Sequence, residues 1–332
     1  MRLRLRKSIF LWKKNNNMSP FFVVATSEVK TLFRERILFL LLGVFIFMTL
    51  AASFIGWLTF STTTAVYHTS VIYLHQHGIM HVPGNPILSF SSLASFRNMI
   101  VYMFLIGSLM AIVVGNRSFI RERKSGTLQL LFTRPTSLIS FLSGKVMGIG
   151  FILLGIVVMT AIISIGSSYL LPLPHLNTSE IFRLLVFYGY SFFYIFFFAL
   201  IGLLFAITAR SESLALFIPV CIWVGISFVM PEFVTGQTPI ALLNPVTITT
   251  TVSQGSFFSR MQQVLTPISL GWHYTLLGGQ LLNATADTHT VLDILFAYKS
   301  NIVVLAISLI GSFFLCFLAL QKFDVLHDVV NE

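Results

Sequence analysis

Six uninterrupted apolar runs, at residues 37–58, 98–116, 146–170, 184–208, 214–230 and 300–320, leave this chain few ways to fold. Each approaches or exceeds the roughly 20 residues that a helix needs to cross the hydrocarbon core of a bilayer. No water reaches backbone N–H and C=O groups there, so a spanning segment must satisfy them as a helix or within a closed barrel. Barrel strands alternate apolar and polar residues, and these runs are continuous. The expectation is an all-α polytopic membrane protein with six transmembrane helices. Composition agrees: 10% of residues are charged, against about 25% in soluble domains, and the mean hydropathy is +0.88.

The basic residues set a direction. Nine of the 21 Lys and Arg lie in residues 1–36, six in 117–145, and Arg210 and Lys322 supply one each, so 17 fall on one set of connections. Only Arg97, Arg183, Arg260 and Lys299 fall on the other set. Positive residues favour the cytoplasmic side. Both termini, the 117–145 connection and the 209–213 turn are therefore expected inside, and 59–97, 171–183 and 231–299 outside. The net charge of +10 thus reads as membrane orientation and attraction to anionic lipid, with no call for nucleic acid. Two units follow: residues 1–36, a basic arm and connecting helix, and residues 37–332, the six-span domain. The apolar stretch Ser8–Trp12 is too short for a cleavable signal. Cys221 and Cys316 both fall inside spans and read as small apolar fillers.

Residues 19–36, SPFFVVATSEVKTLFRER, read as an amphipathic helix lying in the interface. Ser19 suits its cap and Pro20 its first turn. Phe22, Ala25, Val29, Leu32 and Phe33 are assigned to the apolar face, with Glu28, Lys30, Arg34 and Glu35 on others. A plain membrane anchor and a surface that also touches a partner both fit.

Residues 117–137, RSFIRERKSGTLQLLFTRPTS, are the polar exception between two spans. A charged helix through Lys124 gives way at Gly126, which lets the chain turn. Thr127 can cap a second short helix, and Pro135 disfavours its continuation through Arg134. Leu128, Leu131 and Phe132 share one side of that helix. Two turns do not stand alone in water, so this helix docks on lipid, on its own spans, or in a groove of a soluble partner.

The pattern Glu122, Arg123, Gly126, Thr127, Leu128, Leu131, Pro135 resembles the coupling-helix region of ABC-2 type transporter permeases. SLISFLSGKVMGIGFILLG is similar to that family's entry into its third span, ALIGLLFAITARSESLALFIPVCIW to its turn between spans four and five, and SEVKTLFRERILFLLL to its connecting helix and first span. Within the family the chain looks closest to permeases of nitrous-oxide-reductase maturation. The resemblance implies a permease subunit in a bacterial or archaeal plasma membrane, paired with a second permease as a homodimer. Two copies of a cytoplasmic ABC ATPase would serve it, with ATP and Mg bound by those partners and no cofactor by this chain. It further implies an ATPase-coupling site at Arg121, Glu122, Arg123, Gly126, Thr127, Leu128, Leu131, Arg134 and Pro135. The charged side chains would rim the contact and Leu128 and Leu131 would anchor it.

The residues themselves agree on two points. A phosphate-binding loop needs G-x-x-x-x-G-K-[ST], but Gly144-Lys145 is followed by Val146 and preceded by Ile139 where the first glycine belongs. The spans hold almost no ionisable residues, which counts against ion-coupled transport. Gly144-x-x-x-Gly148, at a membrane edge, is a weak dimerisation motif.

A rival reading rests on YHTSVIYLHQHGIMH, with His68, His75, His77 and His81. His75 and His77 would share one side of a strand, and imidazole is the commonest metal ligand. A membrane-anchored metal-handling or assembly factor is therefore the alternative to the permease. The 231–299 connection is long. Its ISLGWHYTLLGGQLL segment, 268–282, reads as a re-entrant or interfacial helix pair with Trp272, His273 and Tyr274 at headgroup level. An outer-face partner protein could also bind there.

Overall fold

A computed structural model describes residues 20–79, 84, 92–126, 137–172, 175–230, 256–282 and 290–323. Among these residues the chain is helical, with no strand. Helix α1 is Pro20–Leu32 and α2 is Arg36–Gln76. Helix α3, Ser92–Lys124, opens with a 3-10 turn at Ser92–Phe96 and holds a π turn at Met103–Gly107. Then come α4, Leu138–Leu170, α5, Thr178–Thr208, and α6, Glu212–Val229. The shorter α7, Ser256–Leu265, α8, Leu270–Leu282, and α9, Val291–Ala297, precede α10, Lys299–Gln321. Six of these, α2 to α6 and α10, are long and apolar enough to cross a membrane.

Local chemistry sets several ends. Ser137 and Ser211 accept from the backbone N–H three residues on, at the starts of α4 and α6. Glu180 reaches back to the Asn177 N–H at 2.9 Å, and Asp293 to the Thr290 N–H at 2.9 Å, closing capping boxes on α5 and α9.

The first span does not stop at residue 58. Residues 59–76, expected as loop, continue α2 to 41 residues. No Gly or Pro lies between Gly56 and Gly78. The hydroxyls of Thr59, Thr63, Thr64, Thr69 and Ser70 donate to carbonyls four residues back, so the helix absorbs its own polar side chains.

Helices α3 and α5 form the centre of the bundle and meet backbone to backbone. A Cβ on Gly115 would lie 1.9 Å from the Ala199 carbonyl oxygen, and one on Gly202 2.3 Å from that of Ile112. Small residues let helices approach this closely where lipid supplies no hydrophobic drive. Helix α8 enters the bundle: Leu270, Tyr274, Leu277 and Leu281 form a buried stripe. Tyr274 stacks on Tyr194 at 4.1 Å and on Tyr190 at 5.6 Å. His273 is also buried, with Nδ1 2.7 Å from Asn301 Oδ1. His273 and Tyr274 thus face the interior of the bundle. Stretch 268–282 holds one helix, α8, with α7 as its short neighbour.

Helix α1 lies on α4 because α4 is glycine-lined there. A Cβ on Gly144 would meet the Phe21 carbonyl oxygen at 2.7 Å, and one on Gly148 the Glu28 Cβ at 2.6 Å. The Gly144-x-x-x-Gly148 motif is therefore the seat of α1 within the same chain. The buried face of α1 carries Ala25, Glu28 and Leu32, while Phe22 and Phe33 are exposed. Glu28 thus joins Ala25 and Leu32 against the bundle, and the bundle leaves Phe22 and Phe33 uncovered.

Candidate functional site

Glu28 is 2% exposed and Lys145 is not exposed at all. The Lys145 ammonium donates to Glu28 Oε2 at 2.9 Å and to the Ser118 carbonyl at 2.9 Å, and lies 2.9 Å from Glu122 Oε1. The other Glu28 oxygen accepts from Arg121 at 3.1 Å, and Arg121 also donates to Glu35 at 2.8 Å. Three carboxylates and two cations, drawn from α1, α3, α4 and the α1–α2 junction, thus close one knot around the buried Glu28–Lys145 pair. A buried charge persists only when paired and hydrogen-bonded on all sides, and the Lys145 ammonium meets that condition.

Burial on its own would raise the Glu28 pKa, but the Lys145 ammonium and the Arg121 guanidinium outweigh it and hold the carboxyl below its ordinary value of 4.5. A depressed carboxylate contributes stability above the ordinary pKa and loses it as pH falls through the folded value. In detergent, the thermal stability of the chain is expected to drop as pH falls below about 4.5, and to drop less steeply in Glu28→Gln. Identical acid profiles for the two proteins would show that the knot carries none of this dependence.

The knot belongs to a larger arrangement at the end of α3. Arg121 binds α1 and the α1–α2 junction, and Glu122 binds α4. Arg123 donates to the Ala209 carbonyl at 2.7 Å, at the α5–α6 turn. Lys124 pairs with Glu212 of α6 at 2.7 Å. One turn back, Phe119 meets Phe323, just past α10, edge to face at 5.5 Å. Successive helical residues point about 100° apart, so four consecutive side chains fan around the helix and reach four neighbours. Ser125 then leads to Gly126, whose φ of +64° is a left-handed conformation that suits glycine.

Of the expected coupling residues, Arg121, Glu122, Arg123 and Gly126 are therefore gathered at one end of the bundle. Thr127, Leu128, Leu131, Arg134 and Pro135 lie outside the described residues. Arg121, Glu122 and Arg123 make internal bonds, because α1, α4 and the α5–α6 turn bring opposite charges and carbonyls to them. Sequence reasoning missed Glu28 and Lys145 as partners. The available signal was a lone acid on an apolar helix, together with a lysine beside a Gly-x-x-x-Gly strip.

His68, His75 and His77 do not converge as a strand would place them. His68, His75 and His77 are exposed on α2 and its cap, where residues two apart point about 200° from each other. His77 stacks on Tyr73 at 4.1 Å. Among the described residues no three His, Cys, Asp or Glu gather in metal-binding geometry. His81 lies outside them.

The pattern of the ABC-2 family transporter protein matches residues 22–325, from α1 to just past α10. The chain belongs to this family. An ABC-2 protein of this kind is an integral, multi-pass membrane component of an ABC transporter, and the match runs through the charge knot and all six candidate spans. The match is to the ABC-2 family as a whole. No curated protein matches the sequence of this ABC-2 chain.

Proposed function

We propose that this ABC-2 chain is the permease subunit of an exporter-like complex. It pairs with a second copy of itself and is driven by two copies of a separate cytoplasmic ATPase that bind ATP and Mg. The observation that carries this reading is the fan Arg121-Glu122-Arg123-Lys124, which ties α1, α4, α5 and α6 to the stem of the 127–135 segment. These bonds let a push on that stem reach α1, α4, α5 and α6 together.

The basic end of the bundle is then the cytoplasmic end, in a bacterial or archaeal plasma membrane. Leu128 and Leu131 anchor the short helix in a groove of the ATPase, and Thr127 and Pro135 bound it. When ATP closes the ATPase pair, the groove displaces this helix and Gly126 serves as the flexible joint. The fan spreads that displacement to α3, α4, α5 and α6. ATP shifts the resting state only through different affinity for the two conformations, and a near-complete switch takes about 5.5 kcal/mol of difference. Helices α6 and α10 keep many apolar side chains uncovered, Phe217, Ile307 and Ile310 among them. These surfaces are available to lipid and to the second permease.

The test is a tagged pull-down of the chain from its own host in mild detergent, with the co-purifying proteins identified and ATP hydrolysis assayed. A soluble ABC ATPase is expected in stoichiometric amount. Leu131→Asp is expected to lose that ATPase and its stimulation while the chain still inserts. An unchanged complex with unchanged activity in Leu131→Asp would overturn the coupling assignment.

A further inference from the structure

A groove of about 590 Å³ opens between α3 and α6, near the end that carries the charge knot. Its polar lip is the Lys124–Glu212 ion pair at 2.7 Å, and Asn116 at its floor donates to the Ala215 carbonyl at 2.8 Å. Arg117 is engaged differently. Its side chain is exposed, and among the described residues no hydrogen bond or ion pair holds it. Glu35, which shares a narrow cleft with Arg117, is bound instead by Arg121 at 2.8 Å. Seven residues separate Arg117 from Lys124, so the guanidinium sits about 10 Å deeper along α3. Beside it the wall turns apolar: Leu214 is 48% exposed and Phe217 64% exposed.

A free guanidinium above an exposed apolar wall, at the edge of a bilayer, has the form of a headgroup and an acyl chain. We propose that this groove binds one membrane phospholipid. Arg117 holds the phosphate oxygens through its planar fork of donors, and an acyl chain lies along Leu214, Phe217 and Val220. Charge decides between this occupant and a second copy of the chain. The apolar faces of α6 and α10 from another copy would cover Arg117 without supplying an anion, and a buried unpaired charge is strongly unfavourable. A phospholipid supplies the anion and the apolar tail together.

The test counts lipids on the full-length chain by native mass spectrometry in mild detergent, after incubation with phosphatidylglycerol or with diacylglycerol of the same acyl chains. Wild type is expected to retain one phosphatidylglycerol per chain and no diacylglycerol. Arg117→Gln is expected to lower that retention about tenfold, whereas Arg97→Gln, an exposed arginine at the other end of α3, leaves it unchanged. Phe217→Ala, which keeps the charge, is expected to weaken retention as well, and this second variant stands if Arg117→Gln misfolds. Inorganic phosphate is expected not to displace the lipid. Equal retention in wild type and both groove variants would overturn the site. So would equal binding of diacylglycerol or displacement by phosphate. Copies cross-linked through Phe217→Cys with no lipid retained would assign the groove to a second chain and overturn it too.

Discussion

Lys145→Met is expected to destabilise the folded chain by about 3–5 kcal/mol, the usual penalty for removing one partner of a buried ion pair. The ammonium meets Glu28, Glu122 and the Ser118 carbonyl while wholly buried. Methionine fills similar volume but donates nothing. It leaves the Glu28 carboxylate with Arg121 as its one neighbouring cation and takes the ammonium from Glu122. The effect is electrostatic rather than steric, so Glu28→Gln added to Lys145→Met is expected to recover part of the loss, since a neutral amide no longer needs the cation. Thermal unfolding in detergent, followed by fluorescence-detected gel filtration, measures both. A Lys145→Met protein as stable as wild type would show that the knot does not hold α1 to the bundle.

The second large effect is steric. Gly115→Ala places a methyl group 1.9 Å from the Ala199 carbonyl oxygen. Overpacking a well-filled interior ordinarily costs about 1–3 kcal/mol. The upper end of that range or more is expected here, because the group that must yield is backbone on a neighbouring helix rather than the tip of a side chain. Helix α3 would have to move away from α5, pulling on the Gly202 contact as it goes. Gly155→Ala supplies the control, since nothing lies within 4 Å of a Cβ there. It is expected to leave stability unchanged or slightly raised, as alanine suits a helix better than glycine. Equal stability of the two variants would refute close α3–α5 contact at this point.

The spans were legible because bilayer thickness imposes itself on sequence as unbroken apolar runs, and all six recur as helices. Their ends were less legible. Residues 59–76 are rich in Thr, Ser and His, which read as loop by hydropathy, yet their hydroxyls bond within the helix and nothing there breaks it. The charged end was legible as a place but not as a set of contacts. Arg121, Glu122 and Arg123 stood out, whereas their partners lie far away in the chain, with Glu28 93 residues from Arg121 and 117 from Lys145. Periodicity in a short window carries no information about such pairs. It therefore set Glu28 apart from the apolar face of α1 and gave no sign that this carboxylate packs against the bundle. The packing of Tyr274 and His273 was illegible for a related reason. Amphipathic rings suit an interface, but the opening that receives α8 is built by α3, α5 and α10, and only the assembled bundle reveals it.

The length of α2 has a mechanical meaning. Its 41 residues make a rod of roughly 60 Å, about twice the hydrocarbon thickness. One end of that rod begins at Arg36, beside Glu35 and therefore beside the charge knot. In a helix held across a bilayer, the other end, with His75 and Gln76, would stand clear of the far surface. A rod held near one end magnifies rotation: a tilt of about 10° there sweeps the tip through about 10 Å, given a rod of this length. Small changes at the charged end would thus arrive on the opposite side of the bilayer as displacements the size of a helix diameter, with no atom of the rod having to cross the membrane.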